Sequence, residues 1–269
     1  MFLEELGYVV KRRRTLVSFA LLAAIPIFLG VVLDIAGTPG GNGHGPGPVF
    51  FDRVTHNGVF LGFTAVLTAQ LIIIPLIVSI AAGDSIAGEA TDGKLRYLLA
   101  SPVSRTRLLA LKSLVALLYA TAAALAVVLV GLAVGAALFP VGPVVTLSGA
   151  QISLLDGVGR LALVGLLAGV STFSIVAVGV FASTLTDSTI GAAAITFGTV
   201  IVLSILDGIP QLAHIAPLFL THYWSTGIDL MRSPVVWSGI LKNLAEQAGW
   251  MVVFFGAAWA RFTTKDILS

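Results

Sequence analysis

The sequence predicts an all-α, polytopic membrane protein: six transmembrane helices, an N-terminal interfacial amphipathic helix, and a charged segment between helices two and three. Three observations carry this prediction. Hydrophobic residues fill 57% of the 269 positions and charged residues only 10%, where a soluble domain carries about a quarter charged residues. Six apolar runs recur, each long enough for a helix to cross hydrocarbon, and the mean hydropathy is +1.03. Basic residues also collect in alternate connecting stretches, the asymmetry that orients membrane spans.

Residues 1–14 place Phe2, Leu3, Leu6, Tyr8 and Val9 around Glu4 and Glu5, ahead of Lys11-Arg12-Arg13-Arg14. This suits a short helix lying in the inner interface with its basic end on anionic lipid headgroups; the competing reading is a frayed tail with a topogenic basic cluster. A basic run before an apolar one superficially resembles a signal peptide. Here the apolar run, Thr15 to Ala36, is too long and lacks a small-residue cleavage site, so it is read as a retained first span.

Residues 38–57 form a Gly/Pro-rich outer loop. Its His44 and His56 lack an acidic or cysteine cluster at ligand spacing, so no metal site is assigned. Span two, residues 59–83, contains Pro75 in its inner half, a candidate hinge, because proline lacks the donor that an intact helix needs. Thr64, Thr68 and Gln70 in the same span are candidate cavity-lining residues. Span three covers 113–139, an outer stretch containing a short helix near Leu147–Asp156 follows, and span four covers 161–185. Thr186-Asp187-Ser188-Thr189 is a tight inner turn, with Asp187 and Ser188 offered to the same side as the 84–112 segment. Span five covers 190–206. Residues 207–239, rich in Pro and aromatics, read as short helices at or partly re-entering the outer surface, with Tyr223, Trp224 and Trp237 in the aromatic belt. Span six, 240–260, is the least hydrophobic: Lys242 and Glu246 stand one turn apart near its outer end, where pairing or snorkelling is feasible.

Eleven basic residues fall in the inner stretches and four in the outer ones. That places both termini in the cytoplasm and the 84–112 segment beside them. The whole chain then forms one transmembrane domain. Spans two to five hold no Asp, Glu, Lys, Arg or His, whereas carriers driven by protons or sodium usually place such groups near mid-membrane. Gly58/Gly62, Gly131/Gly135 and Gly165/Gly169 permit close helix packing; at this Gly/Ala content no dimer interface is assigned from them. The absence of cysteine excludes disulfides and thiol chemistry.

The 84–112 segment reads as two short helices. Asp84 and Ser85 are placed to cap the first, Ser101-Pro102 stops it, and Ser104 caps the second, which runs into span three. Gly88 to Lys94, GEATDGK, satisfies seven positions of a phosphate-binding loop, but Leu95 stands where the Ser or Thr for magnesium is needed, and a membrane span precedes it instead of a strand. No nucleotide site is assigned.

Glu89, Gly93, Leu98-Leu99, Pro102, Arg105 and Lys112, in this order after the second span, resemble the cytoplasmic segment of permease subunits of ABC transporters of the ABC-2 type. The layout of nearly the whole chain resembles that family, with the motif concentrated in 84–112. The resemblance implies a permease in the plasma (inner) membrane, an exporter rather than an enzyme, with Asp84, Glu89, Gly93, Leu98, Leu99, Pro102, Arg105 and Lys112 coupling it to two cytoplasmic ATP-binding subunits. It also implies a second copy of itself or a related permease. ATP and Mg2+ would sit on the partner subunits, with no cofactor in this chain and no nucleic acid. Apolar spans point to a hydrophobic or amphipathic substrate, and a carboxylate at Glu89 is placed to pair with the partner or with Arg105. Two rivals stand: a permease that transmits force for maturation of a periplasmic partner, as in the branch serving the copper enzyme of nitrous oxide reduction, and a secondary carrier or channel.

Overall fold

The computed structural model describes residues 2–36, 50–91 and 104–264. Ten α-helices are seen among the described residues: α1 (Phe2–Lys11), α2 (Arg13–Ala36), α3 (Phe50–His56), α4 (Val59–Leu71), α5 (Ile73–Thr91), α6 (Arg105–Leu138), α7 (Leu154–Val170), α8 (Phe173–Leu185), α9 (Thr189–Asp207) and α10 (Trp237–Thr264). Three 3-10 turns, Pro210–Leu212, Ala216–Leu218 and Trp224–Met231, join α9 to α10.

Among the described residues, four helical stretches are long and apolar enough to cross a membrane: Arg13–Ile35, Arg105–Leu138, Leu154–Leu185 and Thr189–Asp207. The pair α4 and α5 makes a fifth if it is one span bent by 58°. The bend falls at Ile72, three residues before Pro75. Proline at position 75 removes the N–H that would have reached the Leu71 carbonyl. By restarting at Ile73 the helix puts Pro75 in a first turn, where that N–H has no intrahelical partner to lose. The break is therefore displaced toward the N-terminus of the proline itself. It hands the chain from one group of helices to another: α4 packs on α6 and α7, whereas α5 packs on α8 and α9.

The contact between α4 and α6 is made by the glycines. A Cβ built on Gly58 would lie 2.2 Å from the Gly135 carbonyl oxygen, and one built on Gly131 would lie 2.5 Å from the Gly62 Cα. The two Gly-x-x-x-Gly pairs thus interlock within one chain, running in opposite directions. On another face of α6, a Cβ at Gly169 would meet Thr121 Cα at 2.7 Å. α6 is the post on which α2, α4 and α7 lean.

Span four is also broken, between α7 and α8. Hydroxyls repair the break: Ser171 Oγ donates to the Leu167 carbonyl and Thr172 Oγ1 to the Gly169 carbonyl, both at 2.7 Å. From α10, Gln247 Oε1 accepts from the Ser174 N–H at 2.9 Å, and Asn243 Nδ2 donates to Ser171 Oγ at 2.8 Å. Backbone groups freed inside an apolar layer need such partners. This is what brings the fully buried Asn243 and Gln247 onto α10.

Several expectations change. The stretch around Leu147–Asp156 holds no helix until Leu154; it is a two-stranded hairpin, Val144–Val145 with Gln151–Ile152. Its turn uses Gly149 at φ +86°, a conformation other residues resist. Asp84 and Ser85 cap nothing, because α5 runs on unbroken to Thr91 and its amides are already paired within the helix. The N-terminal helix ends at Lys11, and Arg13 already belongs to α2.

The glycine interlock yields a test. Gly131→Val would drive a side chain into the α4 backbone, so a loss of about 1–3 kcal/mol or more is expected from overpacking. Gly198→Ala, where nothing lies within 4 Å, serves as the control. Thermal unfolding of the purified protein in detergent should show a clearly lowered midpoint for the first and none for the second.

Candidate functional site

At the basic end of the bundle, four helices converge on a cluster of buried charge. Lys112 is carried by α6, about two turns beyond the predicted cap at Ser104, whose Oγ accepts from the Arg107 N–H at 3.3 Å. Only 5% of Lys112 is exposed. Its ammonium is held by two carboxylates from different elements: Glu89 on α5, in a short contact, and Glu5 on α1 at 3.0 Å. Glu89 is itself 8% exposed, and its second oxygen has no hydrogen-bond partner.

One helical turn earlier on α5, Asp84 forms a second knot. It takes Arg12, from the bend between α1 and α2, in a short ion pair, and Arg14 at 3.2 Å. Thr189 Oγ1 adds a contact to Asp84 at 3.4 Å. Gly88 sits over this carboxylate, since a Cβ there would lie 2.3 Å from Asp84 Oδ1. The predicted inner turn closes on the same end: Ser188 caps α9 by accepting from the Gly191 N–H at 3.1 Å. The Asp187 carbonyl accepts from Thr91 Oγ1 at 2.7 Å. A cavity of about 70 Å³ lies among these groups, lined by Glu5, Arg12, Asp84, Glu89, Lys112 and Tyr119.

Among the predicted site residues, the structure therefore brings together Asp84, Glu89, Lys112, Asp187 and Ser188. Arg105 goes elsewhere. It donates to the Phe262 and Thr263 carbonyls at 3.4 and 3.3 Å, fastening the start of α6 to the end of α10 with help from Trp259 Nε1 on Thr106 Oγ1 at 3.1 Å. The expected Glu89–Arg105 pair is thus replaced by Glu89–Lys112, because Arg105 stands on the turn that meets α10. Gly93, Leu98, Leu99 and Pro102 lie outside the described residues. Thr64 and Gln70 are buried in helix packing, with Gln70 Nε2 donating to the Ala168 carbonyl at 3.3 Å. Thr68 is exposed and bonds back to the Thr64 carbonyl at 2.8 Å. The three share no common surface.

Sequence reasoning missed Glu5, Arg12, Arg14 and Thr189 as members of the cluster. A usable signal was present. Lys112 stands in an otherwise apolar run, LLALKSLVALL, and an ammonium so placed requires carboxylates from its neighbours.

Fold and site together define a multi-pass membrane protein whose two helical groups are tied by charge at one end. The chain belongs to the ABC-2 family of transporter proteins, whose family model, described as ABC-2 family transporter protein, matches residues 10–203. No curated protein matches the chain. Membership makes it a membrane-embedded transport subunit of a class that associates with ATP-binding ABC subunits. The matched span includes the charged cluster apart from Glu5 and ends before α10.

Removing the shared cation should be costly. Lys112→Met leaves two carboxylates in a poorly hydrated site, and breaking a buried pair by deleting one partner costs about 3–5 kcal/mol. We expect a strongly lowered unfolding midpoint for Lys112→Met in detergent, and partial recovery when Glu89→Gln is added. Additive losses in the double variant would show that the two residues act independently.

Proposed function

We propose that this chain is the permease subunit of an ATP-driven exporter in the plasma (inner) membrane. In this reading it crosses the membrane six times, with both termini in the cytoplasm, and pairs with a second copy or a related permease. Two separate ATP-binding subunits dock on the 84–112 segment and hold ATP and Mg2+. The carrying observation is the family match across residues 10–203, in a chain whose one phosphate-loop-like run has Leu95 in place of the metal-binding hydroxyl.

Treating α10 as the sixth span is supported by its length and by where its polar residues go. At 28 residues it is about 42 Å long at 1.5 Å per residue, more than a bilayer's hydrocarbon core of about 30 Å. Asn243 and Gln247, which lower its hydropathy, are turned into protein contacts and not toward lipid. The basic cluster of Arg12, Arg13, Arg14 and Lys112 supports a cytoplasmic position for that end.

The coupling role follows from the root of the segment. The described helices on either side of residues 92–103 are α5 and α6, and Glu89, three residues before that stretch, pairs with Lys112, nine after it. A load applied there by a closing ATP-binding pair enters α5 and reaches the bend at Ile72, so Pro75 is read as marking the hinge through its effect three residues upstream. A hydrophobic or amphipathic substrate fits the apolar spans.

The test separates docking from folding. Leu98→Glu with Leu99→Glu should abolish copurification of a partner ATP-binding subunit, while the permease keeps its unfolding midpoint. The chain purified alone should hydrolyse no ATP. Undiminished copurification would remove the docking role from this segment. Single cysteines supply the topology: an impermeant thiol reagent on intact cells should label Gly43→Cys and spare Arg96→Cys, and the reverse pattern would invert the orientation.

A further inference from the structure

At the end of α10 remote from Arg105, an open groove of about 580 Å³ runs along the helix. Its floor is aromatic. Trp250 stacks on Phe254 with ring centroids 5.2 Å apart, and Trp250 Nε1 is fixed on the Leu218 carbonyl at 3.1 Å. Val253 beside them is 62% exposed. Two opposite charges, Lys242 and Glu246, head the groove one turn apart, yet they form no ion pair with each other.

Glu246 is incompletely satisfied. Its Oε2 accepts from Gln247 Nε2 at 3.1 Å, while Oε1 is buried with no hydrogen-bond partner. An acceptor withdrawn from water and left unpaired is costly, most of all when charged. Asp207, the last residue of α9, is held on His222 Nδ1 at 2.7 Å. The head of the groove thus offers an unfilled place for a cationic N–H donor next to a free ammonium at Lys242. Below both lies an apolar track.

We propose that this groove binds a membrane phospholipid with a zwitterionic, primary-amine headgroup. The amine donates to Glu246, the phosphate meets Lys242, and an acyl chain lies over Trp250, Val253 and Phe254. Side chains one turn apart stand roughly 5–6 Å from each other, a spacing that a phosphate and an amine two carbons apart can bridge with the flexible lysine taking up the difference. A quaternary ammonium has no N–H for Oε1. An anionic headgroup without an amine would face Glu246 with nothing to offset it. The charge pair therefore selects both the zwitterion and the primary amine. This reading concerns lipid occupancy alone and does not depend on what the transporter moves.

The test uses the full chain in detergent and native mass spectrometry, titrating phosphatidylethanolamine, phosphatidylcholine and phosphatidylglycerol of matched chain length. The expected order places phosphatidylethanolamine first. Glu246→Gln, which keeps the bond to Gln247, should weaken that lipid about tenfold, a loss of about 1.4 kcal/mol, and erase its preference over phosphatidylcholine. Lys242→Met should weaken both zwitterions. Equal binding of the three lipids, or unchanged phosphatidylethanolamine binding by Glu246→Gln, would overturn the proposal. A photoreactive side chain at position 253 gives an independent readout in membranes: adducts should carry lipid. Adducts with a second protein chain instead would mean that the groove is a subunit contact, which also overturns it.

Discussion

A lysine ammonium that is 5% exposed stays charged only if its surroundings supply anions. In this chain that demand organises one whole end of the molecule. Two carboxylates answer it, and they come from elements far apart in sequence, Glu5 and Glu89. Satisfying Lys112 therefore fixes α1 against the bundle and ties α5 to α6. Arg12 on Asp84 repeats the device one turn away, so α1 and the start of α2 cannot leave without exposing two acids. Arg14 is different: at 72% exposed its contact with Asp84 is a surface pair, worth at most about 1 kcal/mol. The stable part of the cluster is the buried part.

The rest of the packing uses no charge. Where α4 and α6 cross, glycines let backbone meet backbone, and the closeness is such that no side chain fits at Gly58, Gly131 or Gly135, while Gly62 leaves only tight room for one. Further along, α5 and α8 approach through Gly179, where a Cβ would lie 2.5 Å from the Ala82 Cβ, and Ser183 Oγ accepts from the Ile86 and Ala87 amides at 2.9 and 2.8 Å. Close approach of this sort is how helices associate when the surrounding solvent is as apolar as their side chains. At the α7–α8 break a neighbouring helix also answers a freed backbone group, as Gln247 does for Ser174.

The helices themselves were legible, because long apolar runs between charged stretches leave few alternatives. Span three is the clearest case, its start fixed by Ser104 in both sequence and structure. What escaped was anything set by tertiary partners. Pro75 marked a break but not its position, which depends on where the helix can restart. Gly149 in TLSGAQ forms a hairpin turn where the sequence suggests a helix, since two-residue strands leave almost no periodic trace. Of the candidate site, Glu89 and Lys112 were readable as residues but not as a pair: nothing in a spacing of 23 residues across an intervening segment says that they touch. Lys242 and Glu246 stood out as the weakness of the sixth apolar run, while the role of Asn243 and Gln247 beside them emerged only with the α7–α8 break that they serve.

The two kinds of contact divide the labour of any movement between the helical groups. α4 meets α6 backbone to backbone, whereas beside the 84–112 segment α5 and α6 are joined through the Glu89–Lys112 ion pair. After the 58° bend, α5 thus runs from the break at Ile72 to a charged tether at Glu89. Lysine suits such a tether. Its charge is a compact point on a flexible four-carbon stem, so the attraction persists while the carboxylates change direction around it. An arginine fork in the same place would hold a carboxylate in one plane and resist rotation. Were α5 to tilt about the bend, such a tether would let Glu89 keep its partner and avoid the buried, unpaired state whose free energy would oppose the motion.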